Sequence, residues 1–198
     1  MITGICPAYL PSIKYIKWVI NQKKLYFITN GNYQKQTFRN RAEIYGPNGK
    51  LKLTIPISHN KFQKNQLDSE VKIFNDSCWQ RDHWKSLESS YRSSPFFEFY
   101  EDDLYNFFHR RHEKLMDLNI ALIKKIFSLL EITIEFKKTN KVDEFSELIR
   151  AKQKTFYKIP IYHQVFNSKY GFINNLSILD LIFNVGPESN NYLKKLQI

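Results

Sequence analysis

Cysteine is nearly absent from this chain of 198 residues: it has two, Cys6 and Cys78, in dissimilar sequence surroundings. That pattern excludes a disulfide framework as the basis of the fold. The N-terminus lacks the basic start, apolar run and small-residue cleavage site of a signal peptide. No apolar run approaches the roughly 20 residues that a membrane-spanning helix needs. We therefore expect a cytoplasmic protein with reduced thiols and no membrane span.

Glycine is also scarce, with 6 residues, and none belongs to a phosphate-binding fingerprint. Gly4 lies inside a predicted strand, which excludes a P-loop or a GxGxxG dinucleotide turn. Acidic residues are few as well: 19 Asp and Glu stand against 30 Lys and Arg, for a formal net charge of +11. This excess favours an anionic partner, although it is also typical of a solvated surface. His109 and His112 are separated by two arginines that would repel a divalent cation, so we predict no metal site.

Apolar residues make up 42% of the chain and aromatic residues 16%, which is enough for a substantial core. The length favours one domain over residues 1–198, with a possible subdivision at residue 75 into an α/β part and a mainly helical part. Near the N-terminus we predict a strand over Met1–Cys6, a helix over Ile13–Asn21 capped by Ser12, and a strand over Leu25–Ile28. That order is typical of a parallel βαβ unit.

The remaining elements extend this unit. Ala42–Tyr45 and Leu51–Ile57 flank GPNG, a turn sequence that predicts a hairpin with one buried and one solvated face. The fold class is therefore α/β (or α+β), with an N-terminal βαβ unit, a hairpin extension and a mainly helical C-terminal half. The further predicted elements are strands at Val71–Phe74 and Ile132–Phe136, a weak helix at Phe145–Lys152, and helices at Trp79–Tyr91, Phe96–Phe108, Glu113–Leu130, Leu176–Phe183 and Ser189–Leu196.

The segment YQKQTFRNR, Tyr33 to Arg41, concentrates cations, amides and aromatic rings between a strand and the hairpin. If the segment is extended, Lys35, Arg39 and Arg41 project to one side and repel one another unless an anion lies among them. The alternative is a solvated loop with one arginine paired to a carboxylate. The preceding turn PAYLP leads into a helix start that can present backbone N–H groups to an anion; its alternative is a rigid turn.

His83 lies between two tryptophans in WQRDHW on a predicted helix. A histidine in such surroundings is often a packed, hydrogen-bonded residue. It also has the composition of a general acid or base held by aromatic rings, with Asp82 or Asp76 to orient it. Both interpretations remain open from the sequence.

Four segments together resemble the WbqC-like proteins, a bacterial family named for a member encoded among O-antigen biosynthesis genes. Three of them are PAYLPSIKY, YQKQTFRNR followed by GPNGKLKLTIPI, and WQRDHWKSLESSYRSSPFFEFYEDDL. The fourth is YHQVF with GFINNLSILDLIFNVGPES. The chain departs from the family at Lys14, where relatives commonly have glycine, and at His163 and Asn174, where they have proline. The polar stretch around 138–158 is short beside the longer branch of the family.

The resemblance implies a role in surface polysaccharide assembly, as an enzyme acting on an activated sugar or its lipid-linked form. It implies no settled reaction, and the cofactor is unknown. Because they fall in the matching motifs, Lys35, Asn40, Arg41, His83 and the segment 90–94 are expected to border a site.

Our leading hypothesis is an enzyme of surface-glycan or nucleotide-sugar metabolism, a transferase with a phosphate-binding basic site. His83 would be the general acid/base, and the arginines and Lys35 would clamp phosphate. The alternatives are a module that binds single-stranded nucleic acid and a non-catalytic adaptor in glycan assembly. The predicted substrate-binding residues are Tyr9, Tyr33, Lys35, Gln36, Arg39, Asn40, Arg41, Ser90, Arg92 and Ser93.

Overall fold

The N-terminal strand–helix–strand unit is present and parallel. It consists of β1 (Thr3–Gly4), α1 (Ile13–Ile20) and β2 (Leu25–Ile28), and a parallel bridge between Ile5 and Phe27 joins the two strands. The structure is a computed structural model, and it describes residues 3–22, 24–58, 66–139, 143–144, 146–151 and 158–197.

Two later strands widen this unit into a small parallel sheet. Strand β5 (Phe136–Thr139) pairs with β2, and β6 (Asp143–Glu144) pairs with β1, both in parallel. The spatial order is therefore β6, β1, β2, β5. The C-terminal half thus contributes two strands to this sheet, across the possible subdivision at residue 75.

Helix α1 forms where the sequence predicts it. Ser12 has an extended backbone, and its hydroxyl accepts a hydrogen bond from the Tyr15 amide at 3.3 Å, which caps the first turn. Ile13, Ile16 and Val19 recur at helical spacing and are fully buried. The cap and the apolar stripe fix the start of α1 directly after the PAYLP turn.

The predicted hairpin comprises β3 (Arg41–Gly46) and β4 (Gly49–Thr54), which pair in antiparallel register. Gly49 has φ +93, in the left-handed region that favours glycine, and it closes the turn around Pro47 and Asn48. Arg41 lies opposite Thr54, so the two side chains share the face of the hairpin that points away from the buried Ala42 and Ile44 positions.

Helices dominate the rest of the chain, and their apolar faces form one core with the sheet and the hairpin. Helices α2 and α4 have the predicted positions to within two residues. The helices are α2 (Trp79–Tyr91), α3 (Phe97–His109), α4 (Leu115–Leu129), α5 (Asn167–Tyr170), α6 (Ile178–Val185) and α7 (Ser189–Lys195), with 3-10 turns at Asp68–Glu70, Ser146–Ile149 and Gly186–Glu188. The fold class is confirmed: a small sheet, a hairpin and a mainly helical C-terminal half.

Apart from shifted strand ends in β1 and β4, three element predictions differ from the structure. The strand predicted at Ile132–Phe136 begins only at Phe136, because its partner β2 begins at Leu25 and pairing starts there. Val71–Phe74 makes single bridges, Ile73 with Ile57 and Lys72 with Lys114, in place of a strand. The weak helix predicted over Phe145–Lys152 is a 3-10 turn at Ser146–Ile149, and both predicted ends lie outside the described residues.

A buried carboxylate anchors α6. Asp180 is fully buried and accepts hydrogen bonds from the Tyr91 hydroxyl at 2.9 Å, the Tyr162 hydroxyl at 2.5 Å and the Gln164 amide at 2.8 Å. The Tyr91 hydroxyl in turn accepts from the Tyr45 amide at 3.1 Å. This network ties α2, the hairpin and the C-terminal segment together.

No helix among the described residues is long and apolar enough to cross a membrane.

Candidate anion-binding site

The PAYLP turn and the second half of YQKQTFRNR lie side by side, and we call their contact (residues 7–11 with 37–41) the loop junction. The Tyr9 amide donates to the Phe38 carbonyl at 2.9 Å. From α4, the Asn119 amide nitrogen donates to the carbonyls of Pro7 and Arg39, at 3.1 and 2.7 Å. The loop junction lies beyond the C-terminal end of β1, where α/β folds place ligands.

Each loop holds one non-glycine residue in the left-handed region: Leu10 with φ 38 and Gln36 with φ 59. Such residues are sparse in proteins and cluster at functional sites. Gln36 also breaks the extended conformation that the sequence analysis assumed, because the Thr37 hydroxyl donates to the Gln34 carbonyl at 3.0 Å and closes a turn there. The three cations of the segment therefore do not form one face.

Arg39 is buried and paired. Its Nε lies 2.9 Å from Asp68 Oδ1, and the two side chains are 2% and 3% exposed. The Cys6 thiol donates to Asp68 Oδ2 at 3.3 Å. The carboxylate thus joins the end of the first strand to the arginine, and the Arg39 charge is matched inside the protein.

Arg41 has a different environment although it is only two residues away. Its side chain is half-buried; its Nε is buried and has no hydrogen-bond partner among the described residues, which also provide no carboxylate within ion-pair distance. A buried donor without a partner costs about 1–3 kcal/mol. Tyr33 lies close by: burial raises the pKa of its hydroxyl to about 12, against opposing effects of the Arg39 and Arg41 charges. Arg41 is therefore suited to an external acceptor.

The other polar residues of YQKQTFRNR are either exposed to solvent or buried and hydrogen-bonded to the backbone. Lys35 and Gln36 are exposed. Asn40 is buried: its side-chain amide donates to the Ile55 carbonyl at 2.8 Å, and its own carbonyl accepts from the Ile55 amide at 2.8 Å. Asn40 thus fixes the start of β3, and Lys35 and Gln36 face the solvent together with Gln34.

His83 contacts the loop junction through Tyr9. Its Nδ1 lies 2.8 Å from the Tyr9 hydroxyl, and its ring packs edge-on against Trp79 at 5.3 Å. Both His83 and Tyr9 are buried, so the Tyr9 hydroxyl faces His83 and not the surface. Burial lowers the pKa of His83 to about 4, although a hydrogen bond with the Thr54 backbone and the nearby Asp82 carboxylate oppose the shift. The ring is neutral at pH 7.

The predicted site residues of the segment 90–94 lie elsewhere in the contact network. Arg92 is half-exposed and pairs with Glu88 at 2.8 Å and Glu101 at 3.2 Å. Ser93 is exposed, and Ser90 is buried with no hydrogen-bond partner for its hydroxyl among the described residues. None of the contacts described for these three residues reaches the loop junction.

The helix start after PAYLP has no spare backbone donor in its first turn. The Ile13 amide donates to the Leu176 carbonyl at 3.0 Å, the Lys14 amide to Asn175 Oδ1 at 2.9 Å and the Tyr15 amide to Ser12 Oγ at 3.3 Å. The expectation that these N–H groups face an anion is wrong, because a C-terminal loop and the cap residue occupy them. Only the positive end of the helix dipole remains.

No cluster of three His, Cys, Asp or Glu side chains with metal-binding geometry occurs in the part of the chain that is described. His109 stacks on Tyr105 at 3.6 Å, and its Nδ1 lies 2.9 Å from the Tyr105 carbonyl. The His112 Nε2 lies 3.0 Å from the Phe107 carbonyl. The two rings thus have separate partners within their own segment.

Two residues that contact the loop junction, Asp68 and Asn119, were not predicted from the sequence. Asp68 has no motif around it in NQLDSE, so nothing in the sequence links it to Arg39. Asn119 did leave a signal, because it is a polar residue on the buried, apolar face of α4, where an unpaired amide would be costly. Its two hydrogen bonds to loop carbonyls account for that position.

The family resemblance is confirmed by comparison with known proteins. The model of the WbqC-like protein family matches residues 6–154, so the chain belongs to that family. An uncharacterized protein of Mycobacterium tuberculosis, Rv1507c, is 24% identical over 224 aligned positions that cover 94% of each chain. No solved structure matches the chain.

Proposed function

We propose that this WbqC-like protein is an enzyme of surface-glycan or nucleotide-sugar metabolism, a transferase that binds the phosphate of an activated sugar at Arg41. The observation that carries the proposal is the contrast between two arginines of one segment. Arg39 is paired with Asp68 in the interior, whereas Arg41 has a buried Nε without a partner among the described residues. A phosphate would supply acceptors for the planar guanidinium in a bidentate geometry.

The surroundings of Arg41 support a sugar-bearing ligand. Tyr33 is half-buried, so part of its ring is available to stack on a sugar or base, and Gln36 offers an exposed amide for hydroxyl groups. Lys35 adds an exposed charge that attracts anions over about 10 Å at 0.1 M salt. The resemblance to proteins named for an O-antigen gene supports the assignment to glycan metabolism.

We infer supporting roles for the buried residues. Arg39, held by Asp68, fixes the backbone between Lys35 and Arg41. The neutral His83 ring donates to the Thr54 backbone, so its Nδ1 accepts the hydrogen bond of the Tyr9 hydroxyl and positions the PAYLP turn. With a pKa of about 4, His83 is a weak base at pH 7, and its general acid/base role stays a prediction.

A thermal-shift screen of nucleotides and nucleoside-diphosphate sugars tests the proposal. A ligand at 100 times its dissociation constant stabilises the folded state by about 2.7 kcal/mol, which raises the melting temperature measurably. We expect at least one nucleotide sugar to do so, and Arg41→Ala to abolish the shift. Arg41→Lys should keep only part of the shift, because lysine retains the positive charge but lacks the planar guanidinium that donates to two oxygens at once.

Arg110→Ala is the charge-matched control, since Arg110 is exposed and lies at the end of α3. That variant should keep the wild-type shift. An unchanged shift in Arg41→Ala contradicts the proposal. So does a screen in which only a single-stranded oligonucleotide binds, with an affinity that collapses with salt, and that result would favour the nucleic-acid alternative.

A further inference from the structure

A concavity of about 210 Å³ opens at the start of α1, and we call it the α1 hollow. It has room for a phosphate group with an attached ring. Its lining includes Phe38 of the loop junction and Ser12, the residue that caps α1, but not Arg41, Tyr33 or Lys35. The hollow is therefore separate from the Arg41 site.

The lining of the α1 hollow is positively charged. Among the described residues, the lining contains three cations, Lys14, Lys50 and Arg150, and one carboxylate, Glu43. Lys50 lies 3.1 Å from Glu43, so these two charges offset each other. Arg150 is exposed and has no carboxylate partner among the described residues. The positive end of α1 adds to the field at the same place.

The side-chain amide of Asn175 provides a neutral donor in the hollow. Asn175 has φ 56 and accepts the Lys14 amide on its Oδ1 at 2.9 Å. Because the oxygen is engaged, the Nδ2 group of Asn175 remains as a donor with no partner in the described part of the chain. Such a group suits the oxygen of a phosphate or a hydroxyl.

One wall of the hollow is apolar and fixed in place. Phe38 is half-buried, and both of its backbone groups are occupied: its amide donates to the Ile149 carbonyl at 2.8 Å, and its carbonyl accepts from the Tyr9 amide at 2.9 Å. Leu148 lies beside it in the lining. A wall held in this way costs little ordering on binding, and it fits the apolar face of a sugar ring.

We propose that the α1 hollow binds a phosphorylated sugar, with the phosphate at Lys14 and Arg150, the hydroxyls at Asn175 and the ring against Phe38. This site is independent of the proposed function at Arg41, because the two share no lining residue. Glu43 opposes the anion, so its removal should tighten binding. Removing the Arg150 charge and removing the Glu43 charge should therefore have opposite effects on the affinity of the hollow for the sugar phosphate.

Calorimetric titration of the full chain with ribose 5-phosphate, ribose and inorganic phosphate tests this inference. We expect the sugar phosphate to bind more tightly than inorganic phosphate, and ribose not to bind at the same concentrations. Arg150→Ala should weaken binding of the sugar phosphate about tenfold, the loss of one charge-assisted contact. Glu43→Gln should strengthen it several-fold.

Arg110→Ala, at an exposed position outside both sites, should leave this binding unchanged. In an Arg41→Ala background, Arg150→Ala and Glu43→Gln should keep their opposite effects on affinity, which separates the hollow from the Arg41 site. Wild-type protein that binds no sugar phosphate overturns the proposal, and so do Arg150→Ala and Glu43→Gln variants with wild-type affinity. Equal affinities for inorganic phosphate and the sugar phosphate overturn the assignment of a sugar.

Discussion

At the scale of single residues, the two arginines of the loop junction differ in whether a carboxylate inside the protein pairs with them. Arg39 and Arg41 are neighbours in YQKQTFRNR, yet Asp68 pairs with the first and not the second. Cys6 adds a thiol donor to the same carboxylate. The carboxylate therefore pairs with Arg39 in the interior, while the Arg41 Nε has no hydrogen-bond partner among the described residues.

Asp68→Asn should destabilise the protein by about 3 kcal/mol, because removing one partner of a buried ion pair leaves the other charge in the interior with weaker compensation. The measurement is the free energy of unfolding in urea. Asp103→Asn is the control: Asp103 pairs with Lys125 at 2.8 Å, but the side chains are 44% and 31% exposed, and such pairs contribute less than about 1 kcal/mol. Equal losses in the two variants would contradict this interpretation of Asp68.

His83 should make stability depend on pH. The unfolded chain takes up its proton near pH 6.5, but the folded protein only near pH 4, because the ring is buried. The stabilisation is thus fully present above pH 6.5 and is lost as the pH falls towards 4. Between pH 7.5 and 4.5 it amounts to about 2.5 kcal/mol.

Urea unfolding of wild type and His83→Asn at those two pH values measures this dependence. The asparagine oxygen can replace Nδ1 as an acceptor for Tyr9 but takes up no proton. The wild type should therefore lose more stability than the variant on acidification. Parallel losses would show that His83 titrates alike in the folded and unfolded states.

The sequence could indicate which residue types matter at the loop junction, but not which of these residues are buried and paired and which are exposed. The cation-rich segment and the histidine between tryptophans both stood out, and each lies at or near the junction. The partner of Arg39 could not be predicted, since Asp68 is distant in sequence and belongs to no motif. Lys35 is exposed and Arg39 is buried because the backbone turns at Gln36, which is in the left-handed region. No local sequence pattern predicts that conformation.

At the scale of elements, long-range hydrogen bonds hold the loops and helices in register. Asn119 of α4 joins the two loops of the junction, and Asp180 of α6 joins α2 to the C-terminal segment. Both are polar groups on buried faces of apolar helices. Such groups stabilise a fold to the extent that they are hydrogen-bonded. The Asp180 carboxylate accepts three hydrogen bonds, whereas Asn119 donates two from its amide nitrogen and its Oδ1 has no partner among the described residues.

Tyr91→Phe should destabilise the protein by about 2 kcal/mol. The lost hydroxyl accepts from the Tyr45 amide and donates to Asp180, so its removal leaves one buried donor without its partner and deprives the carboxylate of a hydrogen bond. Tyr105→Phe is the matched control, since Tyr105 is 45% exposed and its change should stay within about 0.5 kcal/mol. Unfolding in urea measures both, and an unaltered stability of Tyr91→Phe would rule out a structural role for the network.

Helices were more predictable than strands for a physical reason. The apolar spacing of α2 and α4 is a property of the segment itself, and it gave their bounds closely. Strand β5 begins where its partner β2 begins, so its bounds depend on a segment more than a hundred residues earlier. The parallel pairing of β6 with β1 has the same long-range origin.

At the scale of the whole molecule, the net charge is +11, and the buried Arg39 is paired with Asp68 inside the fold. The surface is therefore left with an excess of cations that attracts any anion weakly and is screened by salt. Specific binding requires sites where cations lie beside a complementary surface and oriented hydrogen-bond donors. Arg41 beside Tyr33 and the α1 hollow are the two such places that we identify.

The central claim is that Arg41 binds the phosphate of an activated sugar. A crystal structure of the protein grown with a nucleoside-diphosphate sugar tests it most directly. The account predicts phosphate oxygens within about 3 Å of the Arg41 guanidinium nitrogens, with the sugar or base against Tyr33. It is contradicted if no ligand binds there, or if the Arg41 guanidinium is paired with a carboxylate of the protein and the phosphate lies elsewhere.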